Sequence, residues 1–334
     1  MTVYILILIY LLLCSIFCRR NKLLFILTGF LLLFVAGFRD ISVGTDTQNY
    51  FEIYEYIRYD NEPVWFSIEP GWRLLNYIAI LLNTDYFFII LLASIFTIVP
   101  IFSTIWKYSN KPFISVLFFY LLFFYFQSFN AIRQMIAVAF IFSAYNDYLN
   151  KNKKWSYFKF CIASLFHYSA LLCLVFPFIF KYVRINTSKA CVILPVTYIL
   201  GIYFIPSLIP HLPLVGKYSV YLLHDIDASF SIPRLLINLL CVFFIITSYR
   251  NNNQLKLFYA GIICYNLFAF SEVAGRCALY FMSSQMILFA NLICVHTTNK
   301  RILNMATTSY GLVYLFVLLL NNNGEILPYS NHLF

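Results

Sequence analysis

Long apolar runs recur along almost the whole of this chain, and they constrain its fold more than any other feature. A helix needs ~20 predominantly apolar residues to cross ~30 Å of hydrocarbon, and runs of about that length follow one another here. The composition agrees, because 62% of the 334 residues are hydrophobic and only 11% are charged, unlike a soluble globular domain. We therefore predict an all-α, polytopic integral membrane protein that forms a single membrane domain over residues 1–334.

Lysine and arginine residues in the short loops predict how the chain is threaded through the membrane. Loops that carry such residues stay in the cytoplasm. Basic clusters lie at residues 19–22, 107–111, 151–159, 181–189, 250–256 and 300–301. The spanning segments that fit these clusters are 3–18, 22–38, 85–106, 112–128, 131–149, 190–206, 232–249, 255–271, 277–296 and 303–320. We expect about 10–12 transmembrane helices, with both chain ends outside.

Residues 157–181 do not fit simple alternation, because basic clusters flank this segment on both sides. Either one helix carries positive charge to the outer face, or the segment enters the membrane and returns as a re-entrant hairpin. We favour the hairpin, with its turn near "FHYSA" and His167 deep in the membrane. Backbone of this kind needs protein or a wet cavity around it. A histidine at such a depth is either a hydrogen-bonded structural residue or part of a functional site.

The remaining charges are distributed unevenly between the two predicted sides of the membrane. All of the 13 acidic residues except Asp147 fall on the outer side, and all but one of the outer basic residues are arginines. A guanidinium group binds phosphate or carboxylate oxygens through two parallel hydrogen bonds. Four outer arginines lie where a predicted helix meets the interface, namely Arg39, Arg133, Arg234 and Arg276. Extension to lipid headgroups explains any one of them, but the set favours a shared anionic pocket.

The predicted outer loops add carboxylates and short helices to this side. In the loop 39–84, "SVGTDT" predicts a glycine-containing turn that places Asp46, and "YFEIYEYIRY" and "EPGWRLLNYIAILL" predict two short interfacial helices. The second outer loop, 207–231, contains "DID" at Asp225 to Asp227, which has the form of a metal-binding DxD pattern. Because no nucleotide-binding motif accompanies it, we predict no metal site and no cofactor.

Five motifs occur in a fixed order along the chain: "FRDISVGTDTQNY", "EPGWRLLNYI", "IRQMIAVAFIFSA", "FHYSALL" and "GRCALYF". This ordered set resembles the EpsG-like branch of the Wzy polymerases, which join lipid-linked oligosaccharide repeat units. The resemblance implies an enzyme of O-antigen or exopolysaccharide synthesis, with its active site on the periplasmic side and no nucleotide-sugar donor. The implied partners are undecaprenyl-diphosphate-linked oligosaccharides, membrane lipids and a polysaccharide chain-length regulator. The net charge of +10 reflects the basic cytoplasmic loops and does not indicate nucleic-acid binding.

The resemblance and the outer arginines together predict roles for the candidate residues. Negative charge builds on the diphosphate as it leaves the anomeric carbon, and fixed guanidinium groups stabilise that charge. The expected diphosphate ligands are Arg39, Arg133 and Arg276, followed by Arg234. The attacking hydroxyl needs a base on the opposite face of the sugar, for which Asp46 comes first, before Glu69 and His167. A single displacement of this kind inverts the anomeric configuration.

Two other classes of protein share parts of this pattern. A flippase or transporter for lipid-linked oligosaccharides also needs a basic cavity, but it is expected to show internal repeats, which this sequence lacks. An O-antigen ligase or a membrane acyltransferase uses a similar activated substrate with a different acceptor. The sequence has no long central outer loop of the kind typical of ligases. The ordered motifs therefore favour a polymerase.

Overall fold

The computed structural model of the protein describes residues 1–59, 68–208, 231–247, 252–292 and 300–333. Within these ranges the chain is helical and has no β-strand apart from a single bridge between Arg39 and Asn331. The α-helices are α1 (Thr2–Phe17), α2 (Lys22–Gly37), α3 (Thr47–Arg58), α4 (Pro70–Leu81), α5 (Tyr86–Tyr108), α6 (Pro112–Leu121), α7 (Phe124–Asn130), α8 (Ile132–Leu149), α9 (Lys153–Phe166), α10 (Phe176–Tyr182), α11 (Thr187–Ile199), α12 (Ile205–Leu208), α13 (Ile232–Thr247), α14 (Asn253–Leu267), α15 (Glu272–Gly275), α16 (Leu279–Met282), α17 (Gln285–Leu292) and α18 (Lys300–Leu320). The prediction of an all-α fold is confirmed.

Helical segments cover each of the ten predicted spans, as far as the structure describes them. Among the described helices, three are able to cross a membrane by length and hydropathy alone, namely Tyr86–Tyr108, Thr187–Leu208 and Ile302–Leu320. Two bent pairs, 112–130 and 272–291, raise this number to five if each pair is one span. Several shorter apolar helices, among them α1 and α2, also coincide with predicted spans. The protein is therefore a multi-pass membrane protein, and the total of 10–12 crossings stays a prediction.

The chain divides into two compact units. The first comprises Met1–Leu171 together with Phe289–Phe334, and the second comprises Leu172–Leu288. The first unit contains helices α1 to α9 and the long C-terminal helix α18. The prediction of one membrane domain, with outer loops at 39–84 and 207–231, stays a prediction, and most of the second loop lies outside the described residues.

Helix α8 is the central element of the first unit. It packs against both α5 and α9, and all but a few of its side chains are buried. Near its C-terminal end, the carboxylate of Asp147 contacts the ammonium groups of Lys107 and Lys159 at 3.2 Å and 2.5 Å. Tyr108 donates its hydroxyl hydrogen to the same carboxylate. Asp147, the one acidic residue predicted on the cytoplasmic side, thus ties three helices together.

The segment 39–84, the predicted first outer loop, contains the two short helices that its sequence predicts. Both α3 and α4 are 12 residues long, so neither is able to span a bilayer. Pro70 occupies the first turn of α4, where its missing N–H costs no intrahelical hydrogen bond. Glu69 immediately precedes this proline, so the start of α4 fixes where the Glu69 side chain lies.

The segment predicted to form a hairpin is interrupted at His167. Helix α9 ends at Phe166, His167 is extended with φ −156° and ψ 119°, and a 3₁₀-helix begins at Tyr168. This break falls within the "FHYSA" stretch where the turn was predicted. The return of the chain to the same side of the membrane stays a prediction. His167 therefore lies immediately after the C-terminal end of α9.

The second unit has its own polar core. The side-chain amides of Asn238 and Asn266 hydrogen-bond to each other at 2.8–2.9 Å, and Asn266 also donates to Thr197. A π-helical turn, Leu200–Phe204, follows α11 directly opposite α14. A Cβ atom at Gly201 would lie only 1.8 Å from the Asn266 carbonyl oxygen, so this close approach requires glycine. Paired amides of this kind join helices that share an apolar environment.

Candidate active site

An ion pair between Arg133 and Glu69 forms the centre of the candidate site in the first unit. Arg133 lies in the first turn of α8, and its Nη1 donates a hydrogen bond to the Glu69 carboxylate at the start of α4. The arginine side chain is 25% exposed and the glutamate side chain 10%. The carboxylate orients this guanidinium strongly, because Arg–carboxylate geometry is directional. The guanidinium is at the same time partly accessible.

Two aromatic side chains of the segment 39–84 support this pair, Tyr50 directly and Trp72 through Tyr50. The Tyr50 hydroxyl lies 3.4 Å from Arg133 Nε, and the arginine sits 5.5 Å from the centre of the tyrosine ring. Tyr50 in turn packs against Trp72, with 5.0 Å between ring centroids. Trp72 is fully buried, so its ring supports the site and is not a surface for sugar stacking. The aromatic residues therefore fix the plane in which the guanidinium lies.

His167 belongs to the same cluster. It lies within electrostatic reach of both Glu69 and Arg133. This proximity results from a close contact between helices, because a Cβ atom at Gly71 of α4 would lie 2.9 Å from the Leu165 carbonyl oxygen of α9. His167 Nδ1 accepts a hydrogen bond from the Ser169 N–H at 3.3 Å, which leaves the ring proton of the neutral form on Nε2. In this tautomer the imidazole is a hydrogen-bond donor.

Asp46 lies one helical turn from Tyr50, at the start of α3. It occupies the N-cap position of that helix, makes no capping hydrogen bond through its side chain, and is half-buried. Residues four apart on a helix lie on the same face, about 6 Å apart at Cβ. Asp46 and Tyr50 thus lie on one face of α3, and the Tyr50 hydroxyl reaches Arg133. Tyr50 is not among the predicted site residues, although its position four residues after Asp46 is visible in the sequence.

Arg39 has a different environment from Arg133. It is only 1% exposed, and its Nη1 and Nη2 donate to the main-chain carbonyls of Ala36 and Phe129. Its guanidinium carbon also lies 4.8 Å from the centre of the Phe129 ring. The structure thus places Arg39 on the ends of helices α2 and α7, away from solvent. Its predicted role as a diphosphate ligand stays a prediction, and the contacts favour a structural role.

The other two candidate arginines belong to the second unit. Arg234, in the first turn of α13, is 7% exposed and stacks 4.1 Å above the Tyr265 ring, and its Nε has no hydrogen-bond partner among the described residues. Arg276 begins a 3₁₀ turn after α15 and is half-buried. Both guanidinium groups thus belong to partly or fully buried side chains of the second unit.

The predicted absence of a metal site is not contradicted within the described part of the chain. No group of three or more His, Cys, Asp or Glu side chains with metal-binding geometry occurs there. Asp225 and Asp227, which form the "DID" pattern, lie outside the described residues. The chemistry of the described candidate site therefore depends on arginine, carboxylate, imidazole and tyrosine groups.

Fold and site together define a polytopic, all-α membrane protein with a partly buried arginine–carboxylate centre. The chain belongs to the EpsG family, whose sequence profile matches residues 22–331. The predicted resemblance is confirmed, and at the level of the family the protein is a polysaccharide-polymerase-like, glycosyltransferase-like membrane protein. No curated protein and no solved structure matches the chain.

Proposed function

We propose that this protein joins undecaprenyl-diphosphate-linked oligosaccharide repeat units into O-antigen or exopolysaccharide at the outer face of the bacterial cytoplasmic membrane. Membership of the EpsG family supports a polymerase-like activity. The observation that carries the proposal is the Arg133–Glu69 pair, with Tyr50 and His167 beside it. Such a centre offers an anion-binding group and proton-accepting groups within one compact cluster.

The proposed reaction is a single displacement at the anomeric carbon of the growing chain. A hydroxyl oxygen of the incoming lipid-linked unit forms the new bond to this carbon. The bond from the carbon to the diphosphate oxygen breaks, and its electron pair leaves with undecaprenyl diphosphate. The hydroxyl proton passes to a carboxylate of the protein. The displacement inverts the configuration at the anomeric carbon.

Arg133 is the diphosphate ligand that the structure supports best. One of its nitrogens, Nη1, is engaged by Glu69, and its side chain is partly exposed. The fixed positive charge would stabilise the charge that develops on the leaving diphosphate. Arg234 and Arg276 are proposed as further ligands because each lies where a predicted span meets the outer interface.

Among the carboxylates, we assign proton abstraction to Asp46. Glu69 already accepts a hydrogen bond from Arg133, so its proposed role is to orient that arginine. Asp46 is half-buried at the N-cap position of α3, on the same helical face as Tyr50, whose hydroxyl lies beside Arg133. His167, with its proton on Nε2, would donate a hydrogen bond to a substrate oxygen.

The test uses purified protein, defined lipid-linked repeat units and mass spectrometry of the products. Arg133→Lys keeps the charge but loses the planar fork, and we expect it to lower the polymerisation rate ~100- to 1000-fold, as for the loss of one preorganised donor. Asp46→Asn should be at least as severe. Arg58→Lys is the matched control, because Arg58 lies on the exposed part of α3 and contacts only the Tyr54 ring in the described contacts. Near-normal polymer from Arg133→Lys would contradict the proposal.

A gene deletion separates this function from the two alternatives. Loss of a polymerase should leave surface glycolipid capped with one repeat unit. Loss of a flippase would trap intermediates on the cytoplasmic leaflet, and loss of a ligase would leave polymer attached to its lipid carrier. A partnership with a chain-length regulator is tested by its effect on the length distribution of polymer made by the purified protein.

A further inference from the structure

The C-terminal segment, residues 321–333, lies directly on the turn that carries Asp46. Four main-chain hydrogen bonds join the two parts of the chain. They run from Asp40 N to Ser330 O, from Gly44 N to Glu325 O, from Thr45 N to Gly324 O and from His332 N to Phe38 O, at 3.0–3.2 Å. None of the five sequence motifs includes this segment. The turn therefore depends on backbone groups that are almost 300 residues away in sequence.

Side chains of α1 and of the C-terminal segment itself also hold this segment in place. Tyr4 donates its hydroxyl hydrogen to the Ile326 carbonyl and Tyr329 donates to the Val35 carbonyl, both at 3.1 Å. Burial raises the pKa of the Tyr329 hydroxyl, which keeps this group protonated as a donor. The His332 ring stacks between Phe38 and Phe87, with centroid distances of 5.7 Å and 3.9 Å. The segment is thus an ordered part of the first unit.

Asn130 is the point where the turn and the C-terminal segment meet. It lies at the end of α7 and is 3% exposed, and its Oδ1 accepts hydrogen bonds from Thr45 N at 2.7 Å and Thr45 Oγ1 at 3.0 Å. Gly324 packs against the other end of the amide, because a Cβ atom there would lie 2.2 Å from Asn130 Nδ2. Gly324 also has φ +79°, a conformation that favours glycine.

We propose that Asn130 and the C-terminal segment are positioning elements of the site, which hold the turn from Gly44 to Thr47 and so set the direction of Asp46. Asn130 supplies the only side-chain acceptor for Thr45 among the described hydrogen bonds, and Gly324 and Glu325 supply main-chain acceptors. At the other end of the turn, Thr47 Oγ1 lies 2.9 Å from the Val43 carbonyl oxygen and 3.2 Å from the Phe129 carbonyl oxygen, and its hydroxyl hydrogen is shared between these acceptors. The catalytic part of this inference rests on the proposed function, whereas the structural part does not.

The structural part is tested by hydrogen–deuterium exchange on the full chain in lipid nanodiscs. Asn130→Ala removes the acceptor of Thr45, and Gly324→Ala brings a methyl group against Asn130 Nδ2. Both variants should speed exchange in peptides that cover residues 40–50 by about tenfold or more, because local opening becomes easier. Asn323→Ala is the control, since this exposed neighbour has no side-chain hydrogen bond among the described contacts. Unchanged exchange in both variants would overturn the proposal.

The catalytic part is tested by steady-state polymerisation with the same three variants. Asn130→Ala and Gly324→Ala should lower kcat about tenfold or more while KM for the lipid-linked unit stays within about twofold, because Asp46 is displaced while the diphosphate ligands are not. Gly324→Ala removes no side chain of the C-terminal segment, so it provides a second test if the Asn130→Ala protein does not accumulate. A kcat equal to that of wild type, with faster exchange, would overturn the positioning role. If the wild-type protein adds no repeats, the proposed function is wrong. The exchange experiment would still test whether Asn130 and the C-terminal segment hold the turn.

Discussion

The substitution Arg39→Lys distinguishes a structural arginine from a ligand of the diphosphate. Arg39 is buried and donates from two different nitrogens to the carbonyls of Ala36 and Phe129. A lysine keeps the positive charge, but one ammonium group on a flexible stem does not reproduce the fork that reaches both carbonyls. One buried carbonyl therefore loses its donor, and the stacking on the Phe129 ring is weakened.

The size of this effect follows from the contacts. A buried acceptor left without a donor costs about 1–3 kcal/mol. Weaker contact with the aromatic face costs about 0.5–1 kcal/mol more. We expect Arg39→Lys to lower the free energy of unfolding by roughly 1.5–4 kcal/mol, which is a factor of ~10 to 1000 in the unfolding equilibrium.

Thermal and denaturant unfolding of the purified protein, followed by intrinsic fluorescence, measures this loss. Polymerisation per folded molecule should remain near the wild-type value. Arg58→Lys, on the exposed part of α3, should change the free energy of unfolding by less than about 0.5 kcal/mol. If Arg39→Lys kept wild-type stability but lost polymerisation, Arg39 would act on the diphosphate and the argument from its burial would be wrong.

Three further predictions concern packing and topology. Asp147→Asn should lower the free energy of unfolding by roughly 1–3 kcal/mol in denaturant titrations, because the ammonium of Lys159 loses its charged partner; an unchanged midpoint would contradict this. Gly71→Ala should force α4 away from the Leu165 carbonyl. Polymerisation should fall, and the free energy of unfolding should fall by about 1–3 kcal/mol. Ser330→Cys should react with an impermeant maleimide in intact cells and Asn152→Cys only after permeabilisation, and the reverse pattern would place the candidate site in the cytoplasm.

The predicted site residues have different structural environments, and the sequence alone does not show which environment each residue has. Arg39 and Arg133 look alike in sequence, since each lies at the end of a predicted span. Burial separates them, because Arg39 meets two helix-end carbonyls whereas Arg133 meets the carboxylate of Glu69. Phe129 lies 90 positions from Arg39 and Glu69 lies 64 positions from Arg133, and only tertiary packing brings these pairs into contact.

The sequence by itself determined the all-α membrane fold, the helix positions and the family. Apolar runs separated by polar loops leave the backbone no alternative to helices in hydrocarbon, because every N–H and C=O must be satisfied within the segment. The break at His167 was also visible in the sequence. Only the tertiary structure decided which polar groups meet, as in the Arg133–Glu69 pair. It also decided that the C-terminal segment would hold the Asp46 turn, because main-chain hydrogen bonds between distant segments carry no residue signature.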